Sequence, residues 1–138
     1  MTKWVVMGDA VKFTIPSLPP SKNLLHSIIR VTNRPLEFKR STKYEKWLSE
    51  SIIYIPTLAP KPDSYCFMLT ANFYYPFSHP NGKHRRLDCH NFLEALCDAV
   101  ARKNGFDDSY IKSTHATAHD SQEEKIECEL AQIRVKDA

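Results

Sequence analysis

No apolar run in this sequence approaches the roughly 20 residues that a membrane span requires. Its 4 cysteines form no C-x-x-C pair, and its 138 residues carry a formal net charge of only +3. The first absence argues against a membrane protein. The start, Met1 to Asp9, has one Lys and a brief apolar patch but neither the sustained apolar stretch nor the small-residue cleavage site of a secretion signal. Cys66, Cys89, Cys97 and Cys128 are scattered through apolar or helical contexts. That distribution fits reduced thiols better than a disulfide framework or a zinc finger. A cytoplasmic protein is expected. The small net charge leaves nucleic-acid binding open, since many solvated domains carry as much.

What is present is the composition of a soluble globular protein, 42% apolar and 25% charged. The length suffices for one compact domain with a core and is too short for two, so residues 1–138 are expected to form a single domain. Charge is unevenly spread. Arg34, Lys39, Arg40, Lys43 and Lys46 form one basic group and Lys83, His84, Arg85 and Arg86 another, whereas acids dominate Asp120 to Glu129.

Val11, Phe13 and Ile15 alternate with Lys12 and Thr14, which predicts a strand ended by Pro16. Pro16 to Arg40 holds four of the 9 prolines and reads as a long irregular segment with a short hairpin around Asn33. Thr42 to Glu45 has capping-box form, and Tyr44, Trp47, Leu48, Ile52 and Ile55 share a helical stripe before Pro56. Tyr65 to Phe77 is apolar on both faces, as a central strand is, and a turn-rich segment follows from Pro76 to Lys83. A second helix is expected from about Asp88 to Lys103, with Phe92, Leu93, Leu96, Ala99 and Val100 on its apolar side and Gly105 as its left-handed stop. Ile111 to Ala118 reads as a strand. Ile126, Cys128 and Leu130 alternate with acids before the parity changes to Ile133 and Val135, which predicts a last strand with a bulge near Ala131. The order β-α-β-α-β-β implies an α/β class protein, specifically an α+β sandwich in which a small mixed sheet carries two main helices.

The chemistry lies in Arg85-Arg86-Leu87-Asp88-Cys89-His90-Asn91 and in Gly105-Phe106-Asp107-Asp108, which frame the second helix. Cations beside carboxylates and an imidazole suit an enzyme that grips a polyanionic backbone and holds a divalent metal. Each residue has a plainer role as well. His90, Asn91, Glu94, Asp98 and Arg102 fall on the helix side that faces solvent; Asp88 can cap the helix, and Asp107-Asp108 can be an ordinary turn.

Taken together, these stretches resemble the RusA family of Holliday-junction resolvases, small phage-derived endonucleases, over nearly the whole length. Pro19-Pro20-Ser21-Lys22-Asn23 is similar to the family's Pro-Pro-Ser-x-Asn. Arg85 to Asn91 is similar to its basic run followed by Asp-x-Asp-Asn. Asp98-Ala99-Val100 matches Asp-Ala-Leu, and Asp107-Asp108-Ser109-Tyr110-Ile111 matches Asp-Asp-x-x-Ile. The resemblance implies a homodimer that binds branched double-stranded DNA in recombination and repair and cuts four-way junctions by phosphodiester hydrolysis. The implied metal is Mg²⁺. Asp88, His90 and Asp108 are the implied catalytic metal ligands, with Asp107 and Glu94 as further candidates. Lys22, Asn23, Lys83, Arg85 and Arg86 are the candidates for DNA contact.

Two departures alter the expectation. The second Asp of the family motif is His90 here, and the position where the family usually places a helix Lys is Glu94. An imidazole favours Mn²⁺ or Zn²⁺ over Mg²⁺, and Glu94, one helical turn beyond His90, can restore the lost carboxylate. An alternative function follows, a junction-binding relative that no longer cuts. A zinc module built on His84, Cys89, His90 and Cys97 is a third reading, but the spacing matches no zinc-site logic.

Overall fold

The computed structural model describes residues 3–20, 26–29, 37–40, 42–58 and 65–136. Among the described residues, seven strands and two α-helices follow one another: β1 (Lys3–Val6), β2 (Val11–Ile15), β3 (His26–Ile29), β4 (Glu37–Arg40), α1 (Thr42–Ser51), β5 (Tyr65–Tyr75), α2 (His90–Asn104), β6 (Ile111–Asp120) and β7 (Lys125–Lys136). Five strands make one mixed sheet in which β1 and β2 share an edge of β7, followed by β5 and β6; β3 and β4 pair separately as a hairpin. The expected α+β class and the β-α-β-α-β-β core are present, extended by β1 and by the hairpin. The hairpin pairs His26 to Ile29 with Arg40 to Glu37; Asn33, around which it was expected, lies outside the described residues. No helix among the described residues is long and apolar enough to cross a membrane.

β5 is the central strand, antiparallel to β7 and parallel to β6. Parallel neighbours need a crossover, and α2 supplies it. One sheet face packs on the helices. There Phe67, Leu69, Ala71 and Phe73 of β5 and Ile126, Cys128 and Leu130 of β7 meet Tyr44, Trp47 and Leu48 of α1 and Phe92, Leu96, Ala99 and Val100 of α2. These are the apolar stripes legible in the sequence. After α1 the chain makes one tighter turn, Ile52–Tyr54, before Ile55 is buried and Pro56 ends the segment. Gly105 (φ 69°) closes α2 in the left-handed region that favours glycine.

The last strand corrects one expectation. β7 has no bulge near Ala131: its register against β5 runs unbroken from Tyr65↔Arg134 to Tyr74↔Lys125, through Met68↔Ala131. The parity change arises because Leu130, Ala131, Gln132 and Ile133 are all buried, so both faces of β7 are covered there. The irregularities lie in the neighbouring strands, one of them opposite Ala131 and Gln132. β5 shifts register against β6 between Phe67 and Met68. On the other edge, β1 ends at Val6↔Ile133 and β2 starts at Val11↔Leu130, so four residues of that edge oppose two of β7. Gly8 (φ 81°) makes the detour.

Asn104 ties the chain after α1 to the end of α2. Its Oδ1 accepts from Leu58 N–H at 2.7 Å while its Nδ2 donates to the carbonyls of Pro56 (3.1 Å) and Val100 (3.0 Å). Asn104→Ala leaves a backbone donor and a carbonyl unpaired in a half-buried setting and is expected to cost about 2 kcal/mol of stability. Chemical denaturation reads this as a lower midpoint with an unchanged slope.

Candidate functional site

The segment between β5 and α2, residues 76–89, leaves the carboxyl end of a parallel strand and enters a helix N-terminus, where open α/β sheets tend to place ligands. It is a small folded arm. Ser78 bridges to His84, His79 N–H donates to Lys83 O at 2.7 Å, and Gly82 (φ 84°) turns the tip. The base of the arm is fixed. Arg85 N–H donates to Phe77 O at 2.8 Å, Arg85 Nη1 to Pro76 O at 3.2 Å and Phe77 N–H to Asp120 Oδ1 at 2.9 Å. Tyr75, buried, donates from its hydroxyl to Leu87 O at 3.2 Å. Lys83, His84 and Arg86 are therefore exposed on a fixed support, while Arg85 is half-buried against it.

The acidic end follows at once. Cys89 already has helical dihedrals (φ −58°, ψ −27°), which makes Asp88 the residue that caps α2. Asp88 Oδ1 accepts from His90 N–H at 3.0 Å and lies 2.9 Å from His90 Nδ1. The backbone bond first, then the ring, hold the exposed Asp88 carboxyl below the usual carboxylate range. Cys89 Sγ lies 3.9 Å from the same His90 Nδ1. Burial first, then the Asp88 charge, push its thiol up. Among the described residues, Asp88, Cys89 and His90 are the set of possible metal ligands whose donor atoms all lie within 4.8 Å of one another. The sequence reading puts Asp88 and His90 in the metal set and offers Cys89 only in the disfavoured zinc module with His84, His90 and Cys97. The signal was available in the run Asp-Cys-His at a helix start.

Asp108 belongs to a second group. Its carboxyl is pushed up, first by desolvation, then by Asp107, and further by the charges of Asp98 and Glu94. Asp107 caps the short turn Asp108–Tyr110, accepting from Ser109 N–H at 2.8 Å, and that bond lowers its own carboxyl. Asp98 is tied to the fold, since it accepts from the Tyr44 hydroxyl at 2.5 Å and pairs with Arg102 at 3.3 Å. Glu94 is exposed between the two groups. From His90 to Asp98 the rise along α2 is roughly 12 Å, so Asp88, Glu94 and Asp98 form an acidic ridge past His90, with Asp108 in the field of Glu94 and Asp98. The field reaches inward. Burial first, then Asp108, Asp98 and Glu94, push the Cys97 thiol up to about 12.

Arg85, Arg86, Asp88 and Cys89 line a common cavity of about 440 Å³. Pro19 is buried, and with Arg85, Leu87 and Phe92 it lines a neighbouring cleft of about 500 Å³. The Pro19-Pro20 motif thus reaches the foot of the basic arm. Lys22 and Asn23, which follow it, lie outside the described residues. No family model and no curated protein sequence matches the chain.

Proposed function

We propose that this chain is a metal-dependent, structure-specific endodeoxyribonuclease that acts on four-way DNA junctions as a homodimer. The observation that carries the reading is the cavity that Arg85 and Arg86 line together with Asp88 and Cys89, two members of the Asp88–Cys89–His90 set. A phosphodiester has to be gripped through its charge and brought to a cation-holding group, and this cavity has both parts in adjacent residues. Lys83 and Arg86 project into solvent and suit backbone contact, which positions a duplex without reading its sequence. A four-way junction offers two equivalent strands for cutting, and a two-fold dimer presents two such cavities.

The donors closest together do not fit Mg²⁺. That ion takes a near-octahedral oxygen shell and keeps several waters, whereas here one carboxylate adjoins a thiol and an imidazole. Mn²⁺ accepts imidazole more readily. A labelled four-way junction incubated with the protein and either metal tests the reading: paired cuts in Mn²⁺ exceeding those in Mg²⁺ support it. His90→Asp is expected to raise the Mg²⁺-dependent rate by supplying an anionic oxygen in place of the imidazole.

A second reading, junction binding without cleavage, draws on Glu94, an exposed acid where the resembled family has a Lys. Retention of the junction with no cutting in any metal selects it, and absence of binding removes both readings.

A further inference from the structure

We propose that Asp88, Cys89 and His90 form a clamp for a thiolate-accepting divalent cation of the zinc and cobalt class, with Cys89 Sγ as a direct ligand. The inference rests on the nuclease reading in taking Asp88 and His90 as the metal-holding pair, and it adds a ligand and changes the class of metal.

The distances fit such an ion. With Zn–N and Zn–O near 2.1 Å and Zn–S near 2.3 Å, tetrahedral geometry separates N from O by about 3.4 Å and N from S by about 3.6 Å. Here His90 Nδ1 lies 2.9 Å from Asp88 Oδ1 and 3.9 Å from Cys89 Sγ. Both of these edges are within about half an ångström of what the metal needs, a difference that small side-chain rotations absorb, and the donor atoms of all three residues lie within 4.8 Å of one another. The Oδ1···Nδ1 contact is at hydrogen-bond distance, and the cation takes the place of that bond.

The backbone delivers the three donors together. Asp88 sits at the cap of α2, and Cys89 has the dihedrals of the first helical turn. Cys89 is 8% exposed, yet it lines the same cavity as Arg85 and Arg86. A ligand atom facing this cavity meets a space bordered by cations. Three protein ligands leave a fourth tetrahedral position open, the arrangement of catalytic rather than structural zinc sites, and that position is available to water or an anionic oxygen. Selectivity follows from softness. Thiolate and imidazole favour zinc and cobalt, whereas Mg²⁺ gains nothing from sulfur. The other thiols supply internal controls, since Cys66 and Cys128 are buried in the sheet and Cys97 is half-buried on α2.

The experiment is a Co²⁺ titration of the full chain, stripped of metal and kept reduced with a phosphine. The expected result is one equivalent of Co²⁺ bound, with a sulfur-to-cobalt charge-transfer band in the near ultraviolet. Zn²⁺ displaces the ion, and a hundredfold excess of Mg²⁺ does not. Cys89→Ser, checked for native circular dichroism, is expected to lose the charge-transfer band, whereas Cys97→Ser keeps it. A band that persists in Cys89→Ser, or is absent from the wild type, overturns the inference; so does displacement of cobalt by Mg²⁺. Junction cleavage separates the two proposals. Cutting in Mg²⁺ or Mn²⁺ without a cobalt–sulfur band sinks the clamp and spares the nuclease, while a band that depends on Cys89, without cutting in any metal, does the reverse.

Discussion

Asp88→Asn is expected to lower junction cleavage by more than about 100-fold while junction binding stays the same or tightens. Removing the carboxylate takes away a hard ligand and weakens the hold on any divalent ion. It also removes a negative charge a few ångströms from where a phosphate would lie, which favours the bound state most at low salt. Loss of folding is not expected to intervene. Asn caps helices as well as Asp does, and its Oδ1 can still accept from His90 N–H, the bond that Asp88 makes at 3.0 Å. What disappears is a pH dependence. The native carboxyl is held below its usual range, so its stabilising contribution is present at neutral pH and is lost as pH falls through that lowered value.

Asp108→Asn makes the opposite comparison. The Asp108 carboxyl is pushed up by desolvation and by Asp107, Asp98 and Glu94. Its contribution therefore favours the fold at acid pH and is lost as pH rises through the raised value. Neutralising it is expected to leave the protein at least as stable at pH 7, and to lower cleavage if the carboxylate serves the metal. Thermal melts at pH 4 and pH 7 beside single-turnover cleavage read both effects. If Asp88→Asn or Asp108→Asn cuts at close to the wild-type rate, that carboxylate has no part in the metal site.

The elements that were legible are those whose signal is local. Helical stripes such as Tyr44, Trp47 and Leu48, and Phe92, Leu96 and Val100, repeat at a fixed period and are punctuated by Pro56 and Gly105, so burial and boundaries both register in the residues themselves. β1 was missed because four residues beside a detour give too little alternation to read. The bulge was assigned to the wrong strand: a change of parity records which side chains are buried, and burial of both faces near Ala131 mimics a residue inserted in β7, whereas the extra residues lie in the edge opposite it. The site divided in the same way. Asp88 and His90 are two residues apart, and local geometry at a helix start brings them together. The placement of Asp108 depends on how the chain turns after Gly105, and the structure sets it beside Glu94 and Asp98 along α2. Cys89 enters the sequence reading only beside His84, His90 and Cys97, and the donor set at the helix start joins it to Asp88 instead, a partnership that zinc-site spacing does not reveal.

Charge reversal on the basic arm is expected to have the other large effect, on binding. Arg85 is a poor choice for that test. Its guanidinium donates to Pro76 O and it sits half-buried at the base of the arm, so Arg85→Glu would disturb the support along with the charge. Lys83 and Arg86 are exposed, and the double variant Lys83→Glu/Arg86→Glu changes the field while keeping the arm folded. If each reversal costs about 1.4 kcal/mol of phosphate interaction, junction affinity falls about 100-fold. Phosphate contacts release counterions, so the slope of log affinity against log salt is expected to become shallower by about 2, near one for each lost contact. The loss should be the same for junctions of unrelated sequence, because backbone contacts carry no base information. Binding isotherms at four salt concentrations on two junction sequences decide the matter. An unchanged slope would show that Lys83 and Arg86 touch no phosphate, and a loss confined to one sequence would mean that the arm reads bases.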